Sequence, residues 1–327
     1  MKNLTGMKKL AVMALSLLAA LALCATALAN TAALELYDSA TELLFNTDNV
    51  TLKAHAEFSL DGTWFKTVDG EWQQDGARSF RQLLLTSPKM DGTERKNGYT
   101  ILTDKNDLWL MEVYTPGYYR KGFDGDRTSL LRNTTETNQL IALGKALASQ
   151  ADLFLGADAI TKAEDGSWRV SLGENTPDIV NAALNQLARF AAKRYFEVDY
   201  DMIPANQEWS MSDFGTVSKG LLYTMRGLSL RNADITLKPD EKGNLSQAEG
   251  TVSLAVETAG DGVKQLDVTF SVEISDRGTT SVKRFKPADY NVAPVSEDEY
   301  GVEFGTVVES PSTLQLLLEM FMEKINH

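Results

Sequence analysis

Leu266 to Ser275 alternate without exception. Leu266, Val268, Phe270, Val272 and Ile274 are apolar, whereas Asp267, Thr269, Ser271, Glu273 and Ser275 are polar. A period of two is the geometry of a β-strand, with one face dry and the other wet. A slip by one residue would turn every apolar side chain outward, so the pairing register is fixed. The same period governs Val50 to Leu60. There Leu52, Ala54, Ala56, Phe58 and Leu60 alternate with Lys53, His55, Glu57 and Ser59. Strands of this kind cannot stand alone and commit the chain to an antiparallel sheet with one buried face.

Asp-Gly pairs punctuate the strands at 61, 69, 75, 91, 124, 165 and 261, and Asn97-Gly98 adds another. Glycine supplies the positive φ of tight hairpins, so these pairs predict short local connections and about six strands before Lys121. Leu83-Leu84-Leu85 and Leu108-Trp109-Leu110-Met111 are apolar on both faces. Such strands are either covered on both sides or line a cavity on one. In the last third, 228–238, 246–258 and 263–275 predict a second meander.

Helical spacing is found at Asn30 to Asn46, with Ala33, Leu36, Tyr37, Ala40, Leu43 and Leu44 on one face. A second helix is predicted after Asn133, where Glu136 completes a capping pattern. A third begins at Thr176-Pro177-Asp178 and carries Leu184, Leu187 and Phe190. Pro287 and Pro294, followed by Glu297, Asp298 and Glu299, predict a solvated linker. A terminal amphipathic helix follows from Ser312, bearing Leu314, Leu317, Leu318, Phe321 and Ile325.

The N-terminus has the order of a secretory signal: Lys8 and Lys9, an apolar run from Leu10 to Leu23, then Ala27-Leu28-Ala29. Two cuts compete. Cleavage after Ala29 fits the small-x-small rule. Cleavage before Cys24, the only cysteine, would leave a lipid-anchored chain, but Leu23 is not small and no long polar tether follows. An uncleaved anchor over 10–28 is the third alternative. The expectation is export, with residues 1–29 removed and disulfide or thiolate chemistry lost with Cys24. The net charge of −13 disfavours nucleic acid and anionic membrane surfaces as partners. With 43% hydrophobic residues, the chain can still bury a full core.

Catalytic chemistry is sparse. The two histidines are His55, on the polar face of a strand, and the terminal His327. That count excludes a histidine-rich metal site, and no G-x-S-x-G is present. Glu197, Asp199 and Asp201 alternate after a helix, and Asp124-Gly125-Asp126 lies at a turn. Both patterns are first of all solvated charge, with calcium or paired-carboxylate hydrolysis as sharper alternatives. Trp64, Trp72, Trp109, Trp168 and Trp209 fit ordinary sheet packing better than a ligand-stacking face. No catalytic residue, metal or cofactor is assigned.

The order of helix, local meander, helices and long-stranded meander resembles the half-barrel of the lipoprotein carrier LolA and its relatives. The likeness is one of layout. It lies on Asn30 to Leu60, Tyr99 to Val113 and Gly243 to Lys286. It implies an α+β domain over 30–287, in which a strongly curved antiparallel sheet of about eleven strands wraps about three helices. Residues 288–327 form the linker and tail. Two smaller domains dividing near Tyr200 are the rival organisation. The family's cavity implies a non-enzymatic protein that binds a lipid or another apolar ligand. In the half-barrel layout the cavity lining would come from Phe58, Leu60, Leu83, Leu85, Leu108, Leu110 and Phe190. The alternative is an envelope interaction or sensor protein that docks a protein partner through residues 312–325. A carboxylate hydrolase is the third reading.

Overall fold

The computed structural model describes residues 31–89, 91–104, 107–113, 117–122, 158–173, 176–191, 224–260, 262–284, 296–297 and 302–306, with isolated helical positions at 138, 141, 142, 145, 155 and 221. Helix α1 (Thr31–Thr41) continues into a π-helical turn, Glu42–Asn46. Six strands follow: β1 (Asn49–Leu60), β2 (Thr63–Asp75), β3 (Arg78–Pro88), β4 (Glu94–Asp104), β5 (Asp107–Glu112) and β6 (Gly117–Gly122). Then come β7 (Ile160–Lys162), β8 (Trp168–Leu172), α2 (Asp178–Ala191), β9 (Met225–Pro239), β10 (Leu245–Thr258), β11 (Gly262–Ser275), β12 (Ser296–Glu297) and β13 (Val302–Thr306).

All thirteen described strands join one antiparallel sheet in the order β12-β13-β6-β5-β4-β3-β2-β1-β11-β10-β9-β8-β7. Among the described residues the two edge strands do not pair, so the described sheet is open and the fold is a sheet-dominated α+β fold. The first and last meanders meet where β1 pairs with β11, with Leu52 opposite Ile274 and Phe58 opposite Val268. The described count exceeds the eleven expected, in part because residues 296–297 and 302–306, in the predicted linker and tail, form two strands. Acidic, proline-flanked sequence hides them, yet β13 pairs with β6 at the sheet edge. The segments expected to form the helix after Asn133 and the terminal helix lie outside the described residues, apart from the isolated helical positions given above.

The turns follow the glycines only in part. Gly62, Gly76, Gly92, Gly166 and Gly262 have positive φ and close turns. Asp69-Gly70 and Asn97-Gly98 do not turn at all and sit inside β2 and β4. At Gly98 the reason is space: an added Cβ would stand 2.8 Å from a Leu84 methyl carbon.

Helices α1 and α2 lie on the face of the sheet that we call inner. Ala33, Leu36, Leu43 and Leu44 pack with Leu52, Leu254, Phe270, Val272 and Ile274 in the main core, and Val180 and Leu184 of α2 join them. Two asparagines fasten α2 to β9. The Asn185 amide donates to the Leu228 carbonyl at 2.6 Å and its oxygen accepts from the Leu228 N–H at 2.8 Å. Asn181 accepts from the Leu230 N–H at 2.8 Å. Strand β8 pairs with β9 only over 233–237, so these side chains satisfy a stretch of β9 that β8 leaves open.

Candidate functional site

The registers of β1 to β4 define rows of side chains across the inner face. The first row is Leu52, Trp72, Arg81 and Ile101, and the second is Ala54, Gly70, Leu83 and Tyr99. The third is Ala56, Val68, Leu85 and Asn97. The fourth begins with Phe58 opposite Lys66 and ends with Ser87 opposite Arg95. Burial falls steadily along this series. Every member of the first row is buried, between 5% and 7% exposed. In the second only Leu83 is, and the third is half-buried throughout. In the fourth, Phe58 and Lys66 are half-buried and Arg95 is exposed. Leu83, Ile101 and Leu108 form a cluster with Val68, Leu85 and Tyr99. This apolar wall lies beyond the strands that the described part of α1 and α2 covers.

The open end has a break in register. Phe58 pairs with Lys66, but Ser59 pairs with Trp64, so Phe65 is an extra residue in β2. A bulge sets two residues beside one and re-aims their side chains. The Phe65 and Phe58 rings lie 6.2 Å apart at 54°. Burial of the Lys66 ammonium, and then the charge of Arg95, hold it below the usual lysine range.

The outer face of β3 to β5 carries a second apolar cluster: Phe80, Leu102 and Met111, with Trp109 and Val282 against it. The segment 276–284 brings Val282 there and is tied down along its length. Asn49 Oδ1 accepts from the Thr280 N–H at 2.8 Å, Gln73 Oε1 accepts from the Lys283 N–H at 2.8 Å, and Lys283 Nζ pairs with Glu71 at 2.6 Å. The strands that read as apolar on both faces are therefore packed on both faces.

Elsewhere the outer face is polar and holds a groove of about 730 Å³, lined by Lys53, His55, Asp69, Glu71, Gln82 and Glu273 among others. His55 is not isolated, as its sequence setting suggested: Nδ1 lies 2.7 Å from Asp69 Oδ1, across the β1–β2 pair. Cross-strand pairing over the Asp61-Gly62 turn is the signal that could have found Asp69. Two of the groove's acids are paired, Asp69 with His55 inside the lining and Glu71 with Lys283 from outside it. Among the described residues, no group of three or more metal-ligating side chains converges, and no helix is long and apolar enough to cross a membrane.

Of the residues expected to line a cavity, Phe58, Leu83, Leu85 and Leu108 share the inner face. Leu60 is on that face too, one row past Phe58, but there it packs with Ala188 of α2, Leu266 and Met225. Position 110 pairs with Ile101, and Phe190 lies in α2; the side chains of both are outside the described residues. The 730 Å³ groove is on the opposite face and receives Leu84 rather than these residues. Trp72 and Trp168 are core residues, 5% and 2% exposed, and form no stacking face. The acids 197–201 and 124–126 lie outside the described residues, as do Cys24 and 312–325. Sequence reasoning missed Lys66 and Arg95, because neither lies in a motif and only the registers put them at one end of one face.

No family model matches the chain, and no curated protein matches it. Among solved structures, it is similar to a LolA superfamily protein from Nitrosomonas europaea at 10% identity and a TM-score of 0.18. That match covers 78% of this chain and 95% of the other. It is also similar to an N-terminal dehydratase from the difficidin assembly line at 9% identity and a TM-score of 0.13. Here 78% of this chain and 84% of the other are covered. Likenesses at this level carry no argument for a shared fold or activity.

Proposed function

We propose that this chain is an exported, non-enzymatic protein that binds an apolar ligand, a lipid or acyl chain, against the inner face of β2 to β5. The observation that supports the reading is the graded wall. Side chains in register, apolar but for Arg81 in the first row and Asn97 in the third, run from a buried row at Trp72 and Ile101 to a half-buried one at Phe58. Val68, Leu83, Leu85 and Tyr99 offer a chain-shaped ligand apolar contact, and each methylene removed from water contributes about 0.8 kcal/mol. The outer groove supports the reading less well, because its lining is mostly polar and charged, with Lys53, His55, Asp69, Glu71, Gln82 and Glu273 in it.

The test is native mass spectrometry and lipid extraction of protein purified from its native host. The mature chain is expected to start at Asn30 and to carry lipid, or to take it up from a panel of phospholipids and fatty acids. Leu85→Trp fills the half-open part of the wall and should lose ligand while keeping its circular dichroism and unfolding transition. A wild-type chain that carries no lipid and acquires none contradicts the proposal. A mature chain starting at Cys24 with added acyl mass would replace free export by a tether.

A further inference from the structure

The outer groove runs across the strands. Its first wall is one row of register partners, Gln247, Glu273, Lys53, Glu71 and Gln82, on β10, β11, β1, β2 and β3. Its second wall is the row two residues further along β1: Ser271, His55, Asp69 and Leu84. Two residues of strand set the walls about 7 Å apart, and five strands side by side make the first wall about 19 Å long. Between the walls, Val272 and Ala54 point to the inner face and Gly70 has no side chain, so the floor is backbone. Lys53 and Glu273 are exposed, whereas His55, Asp69, Glu71, Gln82 and Ser271 are half-buried. Sign changes from strand to strand along the first wall: Glu273, Lys53 and Glu71 are successive neighbours, about 4.8 Å apart. A ligand with a net charge of either sign would meet like charge one strand away. A hydroxyl group both donates and accepts, so it serves ammonium, carboxylate, amide and serine neighbours alike.

We propose that this groove binds a neutral, linear oligosaccharide, with the hydroxyls along its two edges hydrogen-bonded to the two walls. The inference goes beyond the apolar-ligand reading and is independent of it, because the groove and the apolar wall lie on opposite faces. The volume of about 730 Å³ is that of a small-molecule cleft. An acyl chain fits the groove poorly, because it would take water from both walls and return no hydrogen bond. A peptide also carries donors and acceptors, but full pairing of its backbone needs a free strand edge. The five strands crossed by the groove are all interior to the sheet. No Phe, Tyr or Trp lines the groove among the described residues, so hydrogen bonds rather than stacking carry the affinity.

The experiment is a chemical-shift titration of the whole chain from Asn30 onward with two matched pairs. Cellotetraose is compared with the tetramer of glucuronic acid, and chitotetraose with the tetramer of glucosamine. At least one neutral member should bind with a Kd of about 1 mM or tighter, and its charged counterpart at least about tenfold more weakly. Gln82→Ala and Ser271→Ala, one from each wall, should each weaken the neutral ligand about threefold or more. Val263→Lys, at a position 62% exposed and outside the groove, should leave it unchanged. Palmitate should not displace the saccharide. Absence of binding by both neutral compounds up to about 10 mM overturns the proposal. So does a charged counterpart that binds equally well, or an affinity that survives Gln82→Ala and Ser271→Ala combined. Displacement by palmitate would place both ligands in one site and overturn it as well, while lipid uptake without saccharide binding leaves the apolar reading standing alone.

Discussion

Burial and the charge of Arg95 both weigh against the charged form of Lys66 in the folded state. Its ammonium is desolvated and then repelled by Arg95, so its folded pKa lies below the ordinary lysine value it has when unfolded. Between those two values the unfolded chain binds more protons, so stability rises with pH through that window. Below it the full cost of charging Lys66 is present. Lys66→Met should therefore be at least as stable as wild type near neutrality, and the alkaline rise should be flattened. Urea titrations of both chains at a series of pH values check this. A variant clearly less stable than wild type at pH 7 would make Lys66 a structural residue.

At the scale of elements, α2 depends on its asparagines as much as on its apolar face. Asn185 makes both bonds to the Leu228 peptide and a third, 2.7 Å, to the Asn181 carbonyl. Asn185→Leu strands a backbone donor and acceptor on β9 and should cost about 2 kcal/mol. The exposed neighbour Gln186→Ala should stay within about 0.5 kcal/mol of wild type. Chemical denaturation measures both, and equal effects would remove the clamp from the account. The sequence foretold the elements well where one rule acted alone. The alternating runs became β1 and β11, and Thr31–Thr41 took the predicted helical face. It failed where a second demand overrode the first. Asp69-Gly70 and Asn97-Gly98 carry turn chemistry, but they sit in long strands whose partners hold them extended. At Gly98 the glycine makes room for Leu84.

Across the whole molecule, the pairing of β1 with β11 aligns the inner faces of two meanders separated by more than a hundred residues. That junction lets α1 and α2 cover one end of the face while the wall of β2 to β5 continues past them. Strand alternation made the face of Phe58, Leu83 and Leu85 legible in advance. The gradient of burial and the placing of Lys66 and Arg95 at one end of one face were not legible, because both depend on which strands become neighbours. The polar groove was hidden for the same reason: its lining is drawn from β1, β2, β3, β10 and β11. The central claim is that an acyl chain lies on the inner wall, and photo-crosslinking with a diazirine-bearing fatty acid reads this residue by residue. The account predicts adducts on Phe58, Val68, Leu85 and Tyr99, competed away by palmitate. Adducts concentrated on His55, Gln82 and Ser271 of the outer groove, or none that palmitate displaces, would contradict it.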